Sequence, residues 1–283
     1  MIRIFPLIFV LLWSSAFITT KPIVDNSDPF AALAFRFFFV AIGFYVFCII
    51  SKNSVIIKRK TFVQSFLSGV LFHGVYLGGV FYSISIGMPT SLAALIVTLQ
   101  PILTNALSGP ILNEKVSKKQ WAGVFLGFGG ASIVLGLDIG SDIPFFGFIA
   151  TIIALIAITT STIWQKKLSN NLPLSVSNFY QAIGGCVFHT VIIIFFVDPF
   201  IHFSKTFLIA ISHQILLVSF GAFTILMFLI KKNSASKTVS VFFLIPPTSA
   251  FMAWFFLNET LTTLDILGFF IASVGVYLAT RNE

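Results

Sequence analysis

Apolar residues gather in ten long runs separated by short polar stretches, at roughly 3–20, 29–50, 62–86, 90–111, 120–137, 144–164, 175–197, 206–230, 236–257 and 264–280. An α-helix crosses a bilayer with about 20 mainly apolar residues, give or take a few. The pattern therefore predicts an all-α integral membrane protein with ten transmembrane helices. Helix-start signals stand at several boundaries. Asp28-Pro29 suits the start of the second helix, with proline in its first turn. Ser117-Lys-Lys-Gln120 and Thr262-Thr-Leu-Asp265 have the spacing of capping boxes and would open the fifth and tenth helices. The connections leave no room between runs for a soluble domain or a low-complexity linker.

The pattern repeats. Sliding Ser91 onto Ser236, a shift of 145 residues, brings Pro101 onto Pro246 and Leu112-Asn113-Glu114 onto Leu257-Asn258-Glu259. Ser117 then meets Thr262, Gly123 meets Gly268 and Gly130 meets Gly275. Two units diverged from one are expected, residues 1–142 and 143–283, each of five helices. The same shift places Ile4, Ile8 and Lys21 on Ile149, Ile153 and Lys166. The first run is thus the counterpart of an internal span, and is read as retained, although its basic start and apolar core also resemble a signal peptide.

Composition agrees with the membrane reading. The chain is 57% hydrophobic and 9% charged, against roughly 25% charged in an ordinary soluble domain. The formal net charge of +8 would suggest a nucleic-acid partner in a soluble protein. Here the basic residues sit in short loops, where they orient helices. With a cytoplasmic N-terminus, Arg3, Lys52, Lys58, Arg59, Lys60, Lys115, Lys118, Lys119, Lys166, Lys167, Lys231, Lys232, Lys237 and Arg281 all fall inside. Asp25, Asp28, Asp138, Asp142, Asp198, Glu259 and Asp265 fall outside. Both termini are expected in the cytoplasm, in a multi-pass protein of the cell (inner) membrane. Five helices per unit is an odd number, so the second unit would run upside down relative to the first, as an inverted repeat. Cys48 and Cys186 lie inside apolar runs and read as buried packing residues.

Specific residues carry a resemblance. Trp13-Ser-Ser-Ala-Phe17, Asp28-Pro-Phe followed by Arg36-Phe37, His73-Gly-Val-Tyr-Leu-Gly-Gly-Val-Phe81, Leu95-Ile-Val-Thr-Leu-Gln-Pro101 and Glu114 with Gln120-Trp-Ala-Gly123 together resemble the drug/metabolite transporter superfamily, in its EamA-domain branch. The resemblance covers essentially the whole chain as two units. It implies ten helices in two inverted repeats and the movement of small metabolites, often amino acids and frequently outward. In that family the acidic residue after the fourth helix commonly follows glycine, whereas Asn113 and Asn258 precede it here.

Inverted repeats place their site near the bilayer midplane, where helices are interrupted. Pro101 and Pro246-Pro247 stand mid-run in the fourth and ninth helices. Each removes a backbone donor and frees a carbonyl one turn earlier, to be met by neighbours, water or ligand. They are either structural kinks or helix breaks at a gate. Gln100 and Asn105 flank Pro101 and are candidate cavity amides; their counterparts Ile245 and Ala250 are apolar. Arg36 is the charge set well inside a span, about 10 Å from the end of its run at about 1.5 Å per residue. It either snorkels to the headgroups or marks the substrate site, where it would favour a carboxylate. Its counterpart Gln181 would be a neutral polar contact. His73 and His189 are mid-span and serve either packing or proton transfer near neutrality. Tyr76 lies one turn from His73 on the same face, and with Trp13 is a candidate to stack on a substrate, core packing being the alternative.

No Asp or Glu lies deep in a run, so proton coupling through a buried acid is not expected: either His73 takes part or the protein is a facilitator or exchanger. Glu114 and Glu259 fall on opposite membrane faces and read as structural loop anchors near helix starts, where negative charge is favourable. The sequence has no phosphate-cradling loop, metal-ligand spacing or nucleophile constellation, and Gly127 to Gly130 lack the strand-turn-helix context of a dinucleotide site. No catalytic residue, metal or cofactor is expected, and the chain does not read as an enzyme. The reading is a secondary transporter of small metabolites by alternating access, an exporter of amino acids or related organic acids or drugs. The alternative is a non-transporting membrane scaffold or sensor subunit. The expected partners are a small-molecule substrate and the lipid bilayer, with no nucleic acid, in a monomer or homodimer.

Overall fold

The computed structural model describes residues 4–88, 90–136, 143–168, 172–257 and 262–281. These are helical almost throughout, with an isolated bridge between Ser27 and Ile201. In chain order the helices are α1 (Phe5–Val24), α2 (Pro29–Ile50), α3 (Arg59–Ser85), α4 (Leu92–Leu112), α5 (Lys118–Leu135), α6 (Phe145–Leu168), α7 (Leu174–Phe196), α8 (Lys205–Lys232), α9 (235–257) and α10 (Thr263–Thr280). Among the described residues, eight of these are long and apolar enough to cross a membrane; α5 and α9 fall outside that set. The helix α5 opens on Lys118 and Lys119, and α9 is assembled from three shorter pieces, Ala235–Ser240, Val241–Leu244 and Ile245–Leu257.

Several helix starts are made by side-chain caps. The Asp28 carboxylate accepts from the Ala31 amide at 2.8 Å, with Pro29 in the first turn. Ser117 Oγ accepts from Gln120 N at 3.2 Å. Thr262 and Asp265 complete a reciprocal capping box. Ile50, Phe146 and Phe196 remain more than 70% exposed. A belt of large bare apolar side chains of this kind is covered by lipid in an intact membrane. Inside, one aromatic cluster gathers Phe9, Phe72, Phe223, Phe242 and Phe243, and a second gathers Phe37, Phe44, Phe81 and Phe207.

Contacts between helices follow the 145-residue shift. The equivalent helices α2 and α7 pack against each other antiparallel: Phe30 meets His189, the Cys186 thiol approaches the Ala34 carbonyl, and Tyr45 meets Phe179. The equivalents α5 and α10 also run antiparallel, backbone to backbone. A Cβ on Gly123 would lie 2.6 Å from the Gly275 carbonyl oxygen, and a Cβ on Gly130 would lie 2.7 Å from that of Gly268. Since Gly123 maps to Gly268 and Gly130 to Gly275, the two contacts exchange under the shift. Small residues permit this approach, as they commonly do between membrane helices.

Interruptions of the helices are paired in the same way. The first part of α4 ends at Val97 and the second begins at Gln100. Pro101 cannot donate to the Val97 carbonyl, and the chain tightens, with Leu99 N donating to Ile96 O at 3.1 Å. In α9 the tight segment Val241–Leu244 directly precedes Ile245 and Pro246. A second pair lies in α3 and α8, which widen into π-helix over Val70–Tyr76 and Gln214–Ala222. Shifting 70–76 by 145 gives 215–221, inside the second π segment.

Replacing Gly123 or Gly130 by valine should cost about 1–3 kcal/mol through overpacking of α5 against α10. Gly129 has nothing within 4 Å of an added Cβ, so Gly129→Ala should melt like the parent. Thermal unfolding in detergent, followed by the loss of the monodisperse peak, reads this difference.

Candidate functional site

Two adjoining cavities lie within the bundle, sharing Trp13, Phe17 and Tyr76 in their walls. The larger holds about 740 Å³. It reaches both helix interruptions, at Val97 and Thr98 of α4 and at Phe242, Ile245 and Pro246 of α9. From there it extends to Lys21, Thr206 and Leu135, at the end of the bundle where α1 finishes and α8 begins. The smaller holds about 40 Å³, room for a few waters or one small polar group.

The two π segments build the smaller cavity. A π turn displaces the side chains that follow and is often found at functional sites. The segment in α3 supplies Phe72, His73 and Tyr76, and that in α8 supplies Gln214, Val218 and Ser219. Between them stands Arg36 of α2, 4% exposed. Its Nε donates to Ser219 Oγ at 2.9 Å and one Nη donates to Gln214 Oε1. Both acceptors are neutral. Among the described residues no carboxylate pairs with Arg36. A guanidinium carries five N–H donors, so these two bonds leave three without a hydrogen-bond partner among the described residues. The Gln214 amide is oriented by its other end, where Nε2 donates to Ala16 O at 3.2 Å and to Thr20 Oγ1 at 3.2 Å on α1. One amide thereby ties α1, α2 and α8 together around the charge.

His73 packs its ring against Phe37 and Phe223, with centroids 4.5 and 4.4 Å apart. It lines the smaller cavity, and its Nδ1 has no hydrogen-bond partner. His189 Nε2 donates to the His73 carbonyl at 2.9 Å, so His189 braces the π segment from behind. Trp13 stacks with Phe242 at 5.9 Å, and Phe9 with Phe242 at 5.2 Å. These rings lie against the far side of the larger cavity, toward the end where α1 begins.

That far end is tied by polar groups. The Glu114 carboxylate accepts from the amides of Ala235 at 2.8 Å and Ser236 at 3.2 Å, at the start of α9. Gln120 Nε2 donates to Asn105 Oδ1 at 3.0 Å and to Ser236 Oγ at 2.8 Å. Lys166 Nζ donates to the carbonyls of Ile230 and Asn233. Glu259 lies outside the described residues.

The residues singled out from sequence thus divide. Arg36, His73, Tyr76 and Trp13 converge on the smaller cavity, and Pro246 lines the larger one. Gln100, Asn105 and Gln181, expected beside the same cavity, line neither of these two. Gln100 is fully buried and donates to Thr162 Oγ1 of α6 at 3.0 Å. Its amide is directed to α6, whereas Thr98, on the other side of the interruption, lines the larger cavity. Asn105 donates to its own Pro101 carbonyl at 2.7 Å and serves the Gln120 network. Gln181 bonds to Gln165 and Ser177 between α6 and α7. Pro101 and Pro247 are buried at the interruptions and do not line either cavity. Gln214, Ser219 and Thr20 were missed. The signal for Gln214 was present, an amide in the middle of an apolar run, as Arg36 is a charge in one.

An all-helical chain with many apolar spans, broken helices and an internal cavity is a membrane transporter in architecture. The chain belongs to the EamA-like transporter family, whose model matches it twice, over residues 2–136 and 145–281. A protein of Salmonella typhimurium named as a probable amino-acid metabolite efflux pump is 23% identical over 291 residues, covering 96% of this chain and 92% of its own. The uncharacterized transporter YvbV of Bacillus subtilis is 25% identical over 232 residues, covering 78% of this chain and 71% of its own. One crystal structure matches with a TM-score of 0.83 over 99% of this chain and 96% of its own, at 17% identity, a likeness of fold.

Glu114→Ala should lower stability by about 1–2 kcal/mol, since it strips a charged cap from the start of α9. Glu114→Gln, which keeps one acceptor, should lose about half as much. Denaturant unfolding in detergent checks both, and unchanged curves would contradict the assignment.

Proposed function

We propose that the protein is a secondary carrier that exports a small carboxylate-bearing metabolite, an amino acid or related organic acid, across the cell membrane by alternating access. Ten spans form two inverted five-helix repeats, 1–142 and 143–283, with both termini in the cytoplasm. The distribution of loop lysines and arginines supports this orientation, and the antiparallel packing of α2 with α7 and of α5 with α10 supports the inversion. In this orientation the larger cavity faces outward, and the Glu114, Gln120 and Lys166 contacts hold the cytoplasmic side shut. The two states would exchange by rocking the repeats about the interruptions in α4 and α9.

The observation that carries the substrate class is the buried Arg36, held by two neutral acceptors beside a cavity. A carboxylate there would take two parallel N–H···O bonds, the geometry in which guanidinium groups bind such anions best. The aromatic wall of Trp13, Phe17 and Tyr76 would pack the rest of the molecule. The name of the Salmonella relative points to the same class.

Purified protein in proteoliposomes, offered labelled amino acids, organic acids, amines and neutral sugars, tests this. Saturable flux of at least one carboxylate, accelerated by the same unlabelled compound on the opposite side, is expected. Flux restricted to amines or sugars would overturn the substrate class, and no flux from folded protein would favour a scaffold or sensor.

A further inference from the structure

Lys21 and Lys166 are equivalent under the 145-residue shift, each in the last turn of its helix, α1 and α6. They are engaged differently. Lys166 Nζ reaches across to α8 and donates to the carbonyls of Ile230 at 3.0 Å and Asn233 at 2.6 Å. A cation at that position also complements the negative end of a helix. This bond closes the end of the bundle that the larger cavity does not reach. Lys21 lines that cavity at the opposite end, exposed, and pairs with Asp25 of its own chain segment.

The carbonyls that correspond to Ile230 and Asn233 belong to Ser85 (230 − 145) and Met88 (233 − 145). They stand at the end of α3, as their counterparts stand at the end of α8. The two helix ends are closed by different turns: Met88 N donates five residues back to Ser83 O across the left-handed Gly87, whereas Asn233 N donates four residues back to Leu229 O. Asp25, four residues after Lys21, corresponds in the sequence to Asn170, four residues after Lys166, so the acid that pairs with Lys21 is replaced by an amide in the second unit. An exposed pair of this kind is weak and gives way readily.

We propose that Lys21 is the latch of the cavity mouth. When the mouth shuts, its ammonium leaves Asp25 and donates to the carbonyl oxygens of Ser85 and Met88, while the Lys166 contacts open at the other end. Asp25 holds the latch back and so favours the open mouth. This rests on the alternating-access reading above, but its test needs no substrate.

Ala250 lines the larger cavity. In a background with Cys48 and Cys186 replaced by serine, Ala250→Cys reports mouth opening through its rate of labelling by a membrane-impermeant maleimide. Asp25→Asn should slow labelling at least threefold, because it frees Lys21. Lys166→Met should slow it as well, because it releases the opposite end. Adding Lys21→Met to either variant should restore the parent rate. Labelling unchanged in both single variants, or slowing that persists in the Lys21→Met background, would overturn the latch. Absent flux in proteoliposomes with the labelling pattern intact would instead fault the proposed substrate.

Discussion

A guanidinium inside an apolar bundle must be answered by something. Placing an arginine at the centre of a membrane helix costs about 2.5–3.5 kcal/mol even on the mildest insertion scales. Here the answer is incomplete: Ser219 Oγ and the side-chain amide oxygen of Gln214 each accept one bond from Arg36. Much of the local structure follows from that residue. Gln214 spends its amide nitrogen on α1 so that its oxygen faces the charge. The π segment of α8 brings Gln214 and Ser219 to one wall, and the π segment of α3 brings His73 and Tyr76 to another. The phenyl rings of Phe37 and Phe223 then enclose His73 next to the charge. What remains open is a narrow cavity beside three unanswered donors, leading into a much larger apolar one.

The scaffold is symmetric and the chemistry is not. The Ser117 and Thr262 caps, the glycine contacts, the proline interruptions and the π segments recur after 145 residues. The polar groups that use them do not recur. Arg36 maps to Gln181, which is absorbed in a bond to Gln165. Gln120, which links Asn105 to Ser236, maps to Asp265, which is spent on its own helix cap. A symmetric frame makes two alternative closures geometrically similar, while one-sided polar groups set which closure is favoured and where an anion would sit.

Much of the frame was legible because its signals are local. Asp28-Pro29, Ser117 and Thr262 announce helix starts by residue type alone, and prolines announce breaks by what they lack. The shift of 145 residues aligned Gly123 with Gly268 and Gly130 with Gly275, but that these four meet each other between α5 and α10 came from the structure. The site was legible only in part. Arg36 and His73 stood out as rare polar groups in apolar runs. That Gln100 turns to Thr162 of α6 was not legible, because position along a helix does not tell which way a side chain faces once Pro101 has broken the winding. The π segments left no composition signal, since Val70–Tyr76 and Gln214–Ala222 are as apolar as ordinary spans. Gln214 became meaningful only when α8 was seen to bring it against Arg36.

The most direct measurement is of equilibrium binding by the purified protein, comparing a transported carboxylate with its methyl ester in the parent, in Arg36→Lys and in Arg36→Met. A hydrogen bond to a charged group is worth about 1.5–3 kcal/mol. The carboxylate should therefore bind the parent about 10- to 150-fold more tightly than it binds Arg36→Met, with Arg36→Lys in between, and the ester should not distinguish the three. Equal affinity of the carboxylate for the parent and Arg36→Met would show that the buried guanidinium serves only the fold.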